Sequence, residues 1–154
     1  MAARPAYLDG LKLLARRELS ELQVRQRLAR KGHEPADIDD AVARLLAERA
    51  IDDARVADAI ARTETALRKR GKLRVRMAIE RAGIAKPTAK RAVDEVFDAI
   101  DGDALLEAAL AKRLRGRDTF ADDREFQRLY RYLVGQGFDA DQALKALNLR
   151  KRAR

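Results

Sequence analysis

Three glycines govern what this chain can fold into. Setting Gly32, Gly83 and Gly137 in register aligns the segments VRQRLARKGHEPADIDDAV, VRMAIERAGIAKPTAKRAV and LYRYLVGQGFDADQALKAL. Eight residues before each glycine stand Val24, Val75 and Leu129, and four before it stand Leu28, Ile79 and Leu133. Ten residues after it stand Val42, Val93 and Leu147. Apolar residues at these offsets mark one face of a helix on each side of the break. A glycine just past such a face supplies a left-handed C-terminal cap without a side-chain clash. Pro35 and Pro87 follow three and four residues after their glycines, where a first-turn proline costs no hydrogen bond. Helix, glycine turn and helix therefore recur three times, a periodicity that sets the architecture.

A further helix leads each pair, over Tyr7–Arg17, Asp53–Arg70 and Asp103–Leu114. The expected fold is all-α, with tandem three-helix repeats at 1–51, 52–101 and 102–154. Aromatics are only 5% of the residues, and the abundance of Ala, Leu, Arg, Glu and Lys favours helix over strand. Units of about fifty residues bury little apolar surface alone, so they are expected to pack end to end into an elongated, slightly curved array. The best-marked helix start is LSELQV, where Ser20 caps, Gln23 completes a capping box and Leu19 staples onto Val24. In the middle helix, Lys72–Ala82, the residues Val75, Ala78, Ile79 and Ala82 form the core stripe. Leu73 and Met77 lie on nearly the opposite side and are predicted to meet a neighbouring unit or a partner.

The net charge is +9, with a pI near 10.2. This directs attention to nucleic acid, acidic proteins or anionic lipid as partners. The excess is spread as +2, +3 and +4 over the three repeats. Many cations match acids four residues away, as Glu21 with Arg25, Asp40 with Arg44, Asp58 with Arg62 and Glu64 with Arg68. RKRGKLRVR at 68–76 stands apart. Arg68 to Arg70 read as the end of one helix, where cations suit the dipole, whereas Lys72, Arg74 and Arg76 open the next, where they do not. The candidate electropositive surface comprises Arg25, Arg27, Arg30 and Lys31 from the first unit and Lys69, Arg70, Lys72, Arg74 and Arg76 from the second. Tyr132 lies off the core stripe of Phe126, Leu129, Tyr130 and Leu133 and is the candidate for stacking on exposed bases. The final RKRAR, 150–154, reads as a basic tail adding salt-dependent attraction.

No catalytic constellation emerges. There is no cysteine, the sole serine is assigned to a cap, and His33 is the sole histidine, so no thiolate or histidine cluster is available for metal or nucleophilic chemistry. RGKLR lacks the upstream glycine and the Ser or Thr of a phosphate loop. DIDD at 37–40 and DGD at 101–103 lack the ligand ladder of a calcium loop and read as helix starts. Neither cofactor nor metal nor enzymatic activity is expected. No apolar run approaches the ~20 residues of a membrane span, and MAARPAYLDG lacks a secretory apolar core; the expectation is a cytoplasmic protein with no membrane partner.

In order and spacing, SELQVRQRLARKG at 20–32, AIDDARVA at 50–57, GKLRVRMAIERAGI at 71–84 and GQGFDADQA at 135–143 resemble the bacterial RecX regulatory proteins over nearly the whole chain. Val56 replaces an aromatic usual in that family, and Asp139 replaces a serine. The resemblance implies a tandem three-helix protein that binds the RecA recombinase filament on single-stranded DNA, suppresses its ATPase and strand exchange, and has some affinity for DNA itself. It further implies a non-enzymatic role in repair and recombination; a monomer is expected. A stand-alone helical DNA-binding protein is the competing reading of the same charge.

Overall fold

A computed structural model of the chain describes residues 5–152. Among them are nine helices: α1 (Ala6–Arg16), α2 (Glu21–Arg30), α3 (Pro35–Ala47), α4 (Asp53–Ala66), α5 (Lys72–Arg81), α6 (Lys86–Ala99), α7 (Gly102–Leu114), α8 (Asp123–Gly135) and α9 (Ala140–Arg152). Described residues contain no strand. The end of the basic tail, beyond residue 152, lies outside them.

The glycine turns take the form the periodicity requires. Gly32, Gly83 and Gly137 have φ of +90°, +83° and +96°, a region costly for any side chain. At two of them the chain closes with the bond expected of a glycine cap: the His33 N–H reaches the Leu28 carbonyl at 3.3 Å and the Phe138 N–H the Leu133 carbonyl at 3.2 Å. Helix starts are equally local. Ser20 and Gln23 form the full capping box, while Asp52, Asp101, Asp122 and Asp139 accept N–H bonds in the first turns of α4, α7, α8 and α9. Asp101 thereby accounts for the start of the DGD cluster as a helix cap.

The first helix of the middle repeat differs from expectation. It ends at Ala66 instead of continuing to Arg70. Thr65 turns its hydroxyl back onto the Ala61 carbonyl at 2.9 Å, Lys69 enters the left-handed region at φ 53°, and the Arg70 N–H closes onto the Glu64 carbonyl at 3.0 Å. Arg68 to Arg70 therefore occupy a connecting turn and not a helix end.

Each set of three helices encloses its own apolar cluster. α1–α3 surround Leu19, Val24, Leu28, Val42, Leu45 and Ile51; α7–α9 surround Leu106, Leu110, Leu114, Leu133, Phe138 and Leu147. The middle cluster is built differently, from Ala57, Ala61, Ala82, Ala89 and Ala92 around Val75, Ile79 and Val93. Small side chains let α4 and α6 approach closely but bury less apolar area per residue. The middle repeat thus depends more than its neighbours on what it touches at either end.

Those ends are joined in one recurring way. The first turn of α2 meets the turn that ends α5: Ser20, fully buried, donates its hydroxyl to the Ala82 carbonyl, and Leu22 fills the place a side chain on Gly83 would take. The first turn of α5 meets the turn that ends α8, where the Gly71 N–H donates to the Gln136 carbonyl at 2.8 Å and the Leu73 N–H to the Gly137 carbonyl at 3.2 Å. In each junction the positive end of one second helix rests on the negative end of the next. The first junction is reinforced by Arg55, which bridges Glu18 at 2.8 Å and the Arg49 and Ala50 carbonyls, and by Asp53, which accepts the Glu21 N–H at 2.9 Å.

Candidate interaction surface

The cations of RKRGKLRVR are not equivalent once folded. Arg70 turns inward and pairs at 2.8 Å with Glu64, whose side chain is only 8% exposed; Arg68 holds the other oxygen of Glu64 at 3.5 Å. A buried carboxylate demands such partners, so Arg70 serves the fold. Lys69 caps the left-handed turn and has no ion pair among the described residues.

Lys72, Arg74 and Arg76 do open α5 as its spacing predicts, but the electrostatic cost is relieved from outside the helix. The carbonyl ends at Gln136 and Gly137 lie against the first turn of α5, so negative partial charge adjoins it. Lys72 also stands over the Phe97 ring at 5.7 Å, and Arg76 approaches Glu80 to 3.8 Å. Arg74 is half-buried against the Gly137 turn and makes no ion pair among the described residues.

Leu73 remains 49% exposed although its N–H is engaged in the junction. It stands with Lys72 on a ridge between two open grooves of about 690 Å³ each. One groove is walled by Phe97, Val134 and Phe138 and rimmed by Asp101, Asp103 and Asp139. Its neighbour is rimmed by Arg76, Lys86 and Lys90, with Glu80 and Asp94. Lys90 and Asp94 bond at 2.8 Å, which holds the lysine above its usual range and the carboxyl below its own. Met77 is partly buried and Leu73 half-exposed; the face opposite the core stripe thus includes accessible apolar surface beside the junction.

In the first unit, Arg25 pairs at 2.6 Å with Asp39 on α3, not with Glu21 on its own helix, because the α2–α3 hairpin brings the two side chains together. Arg27 is half-buried, Arg30 and Lys31 are exposed, and none of the three has an ion pair among the described residues. Of the four within-helix pairs the spacing suggests, Glu64–Arg68 forms, whereas Arg44 turns to Glu48 at 3.0 Å. His33 lies 2.7 Å from Asp9 of α1, both largely buried. Tyr132 is not a free surface ring: it packs against the third cluster, beneath the Arg113 guanidinium at 4.9 Å. Arg124, Arg128 and Arg131 instead line an open face of α8 with Asp123 and Gln127. Among the described residues, no group of three or more His, Asp and Glu is placed to hold a metal ion, and no helix is long and apolar enough to cross a membrane.

Nine helices in three clusters joined head to tail define the class of tandem three-helix proteins. The fold superimposes on a crystal structure of RecX from Lactobacillus salivarius with a TM-score of 0.74, at 20% identity, covering 94% of this chain and 95% of that one. A second crystal structure, of a regulatory protein RecX, gives 0.79 at 18% identity over 93% of this chain and 70% of the other. Residues 6–45 match the family model of the RecX first three-helix domain. The Regulatory protein RecX of Halorhodospira halophila is 34% identical over 94% of this chain and 88% of its own length. That of Chromohalobacter salexigens is 34% identical over 90% and 88%. The chain belongs to the RecX family of regulatory proteins.

Proposed function

We propose that the protein binds the filament that the RecA recombinase forms on single-stranded DNA, lowers its ATPase and strand-exchange activity, and so restrains recombination and repair in the cytoplasm. The observation carrying this reading is a set of solvent-reachable cations left unpaired by the fold, Arg27, Arg30, Lys31, Lys69 and Arg74, spread over two adjoining units of a RecX-family chain. A surface of this kind suits a long polyanionic assembly better than a compact ligand. Acting as a monomer that touches more than one filament subunit, the protein biases the filament between conformational states by differential binding. Recombinase ATPase on single-stranded DNA, measured as this protein is titrated in, tests the reading; undiminished ATPase at saturation rejects it.

A second reading, direct DNA binding, is favoured by one feature, the arginine-lined face of α8 with Arg124, Arg128 and Arg131. The apparent affinity should then fall with salt at a log–log slope of about −0.9 per phosphate neutralised on duplex DNA. Combined replacement of Lys69, Lys72 and Arg74 by alanine separates the two sites if recombinase inhibition is lost while DNA binding persists. Arg70 is kept in that variant because Glu64 needs it.

A further inference from the structure

Both junctions between units obey one rule. The residue capping the second helix donates to the carbonyl before a glycine, as Ser20 does to Ala82 and Gly71 to Gln136. Two positions further on, a leucine adjoins the glycine turn: the Leu22 side chain fills the seat on Gly83, while the Leu73 N–H donates to the Gly137 carbonyl and the seat on Gly137 is taken by the backbone and Cβ of Arg74. Serine or glycine, any residue, then leucine is therefore the pattern that seats on such a turn.

The first unit carries the same turn with nothing seated on it. Gly32 shares the left-handed conformation at φ +90°, yet among the described residues beyond its chain neighbours no atom lies within 4 Å of where its side chain would begin. The corresponding positions on Gly83 and Gly137 are filled by the neighbouring unit. Among the described residues no hydrogen bond reaches the carbonyls of Lys31 or Gly32.

A second copy of this chain does not fit the vacancy. The helix start it leaves unused is that of α8, where Asp122 caps and Arg124 stands two positions on. Aspartate has no hydroxyl to donate as Ser20 does. Its Cβ, in the place of Gly71, would stand 2.5 Å from the facing carbonyl carbon. The array is thus closed at α8 and open at Gly32. The open turn also differs in charge: Arg30 and Lys31 precede Gly32, where Arg81 and Ala82 precede Gly83, and Gly135 and Gln136 precede Gly137.

We propose that the Lys31–Gly32–His33 turn is a docking site for the start of a helix in a partner protein. That helix has serine or glycine at its cap, leucine two positions later and acidic residues in its first turn. It would continue the interface already made twice within the chain, its cap donating to the Lys31 carbonyl and its acids facing Arg30 and Lys31. The inference does not depend on which protein the partner is.

The test is nuclear magnetic resonance titration of the full chain, labelled with nitrogen-15, with a synthetic helical peptide opening Ser-Glu-Leu-Glu and continuing as an alanine-rich helix. Saturable shifts are expected at the amides of Lys31, Gly32 and His33, with Kd of about 1 mM or tighter. Replacing the leucine of the peptide by alanine should weaken binding about tenfold. Gly32→Asn, which tolerates the left-handed backbone while filling the seat, should abolish it. Absence of shifts at these amides, or binding that survives either substitution unchanged, overturns the proposal.

Discussion

Gly71→Ala isolates the junction between the second and third units. Gly71 has φ −83° and ψ 173°, an extended conformation open to any residue, so the substitution strains nothing locally. Added to the folded chain, however, its Cβ stands 2.5 Å from both the carbon and the oxygen of the Gly137 carbonyl and 2.6 Å from the Phe138 nitrogen. Backbone atoms cannot rotate away, so the junction must open. Two buried-edge hydrogen bonds are then lost, at about 1 kcal/mol each, and overpacking adds about 1–3 kcal/mol. The expected loss is about 3–5 kcal/mol. Without the junction, the change would stay within about 1 kcal/mol, because alanine also restricts the unfolded chain. Gly135→Ala is the matched control: Gly135 ends α8 with nothing within 4 Å of its missing side chain, and should gain about 0.5–1 kcal/mol. Urea unfolding followed by circular dichroism reads both by linear extrapolation. A Gly71→Ala protein as stable as the wild type would refute the head-to-tail arrangement.

Ser20→Ala should cost about 2–3 kcal/mol in the same assay, since it removes a cap and strands the Ala82 carbonyl at the first junction; a loss of only a few tenths would mean that Ser20 does no more than mark a helix start. Arg70→Ala should destabilise by about 2 kcal/mol or more by leaving the Glu64 carboxylate buried beside only the longer Arg68 contact, whereas Lys69→Ala should stay within about 0.5 kcal/mol. Equal effects would show that Arg70 is an ordinary surface cation. Glu125 is held at about 2, against an ordinary 4.5, first by its bond from Arg117 and then by the Ala121 N–H. Its ionised form is therefore favoured by folding; that contribution is complete above about 4.5 and disappears as pH falls towards about 2. The urea midpoint of the wild type should decline across this window more steeply than that of Glu125→Gln, and parallel curves would contradict the assignment.

Sequence alone settled whatever depends on a few consecutive residues. The glycine register defined three helix–turn–helix segments because only glycine enters the left-handed cap freely, and Ser20 and Asp101 marked helix starts because capping is a contact across two or three positions. The composition of each apolar stripe named the core in the same way. What the spacing misjudged lies where two local choices compete or where a partner comes from elsewhere. α4 stops at Ala66, since closing a turn around Lys69 lets Arg70 reach the buried Glu64. Arg25 prefers Asp39 across a hairpin to Glu21 on its own helix, and Tyr132 is drawn against the third cluster under Arg113.

The reading of Lys72, Arg74 and Arg76 changed most. Their position at a helix start was legible, but the relief of their charge comes from the carbonyl end of α8, more than sixty residues away in the sequence. Tertiary structure alone decided the junctions, for a hydrogen bond between Ser20 and Ala82 or between Gly71 and Gln136 has no periodic signature. It likewise decided which cations remain free, because ion pairing depends on the faces that helix packing brings together, and local sequence specifies only which residues stand on each face.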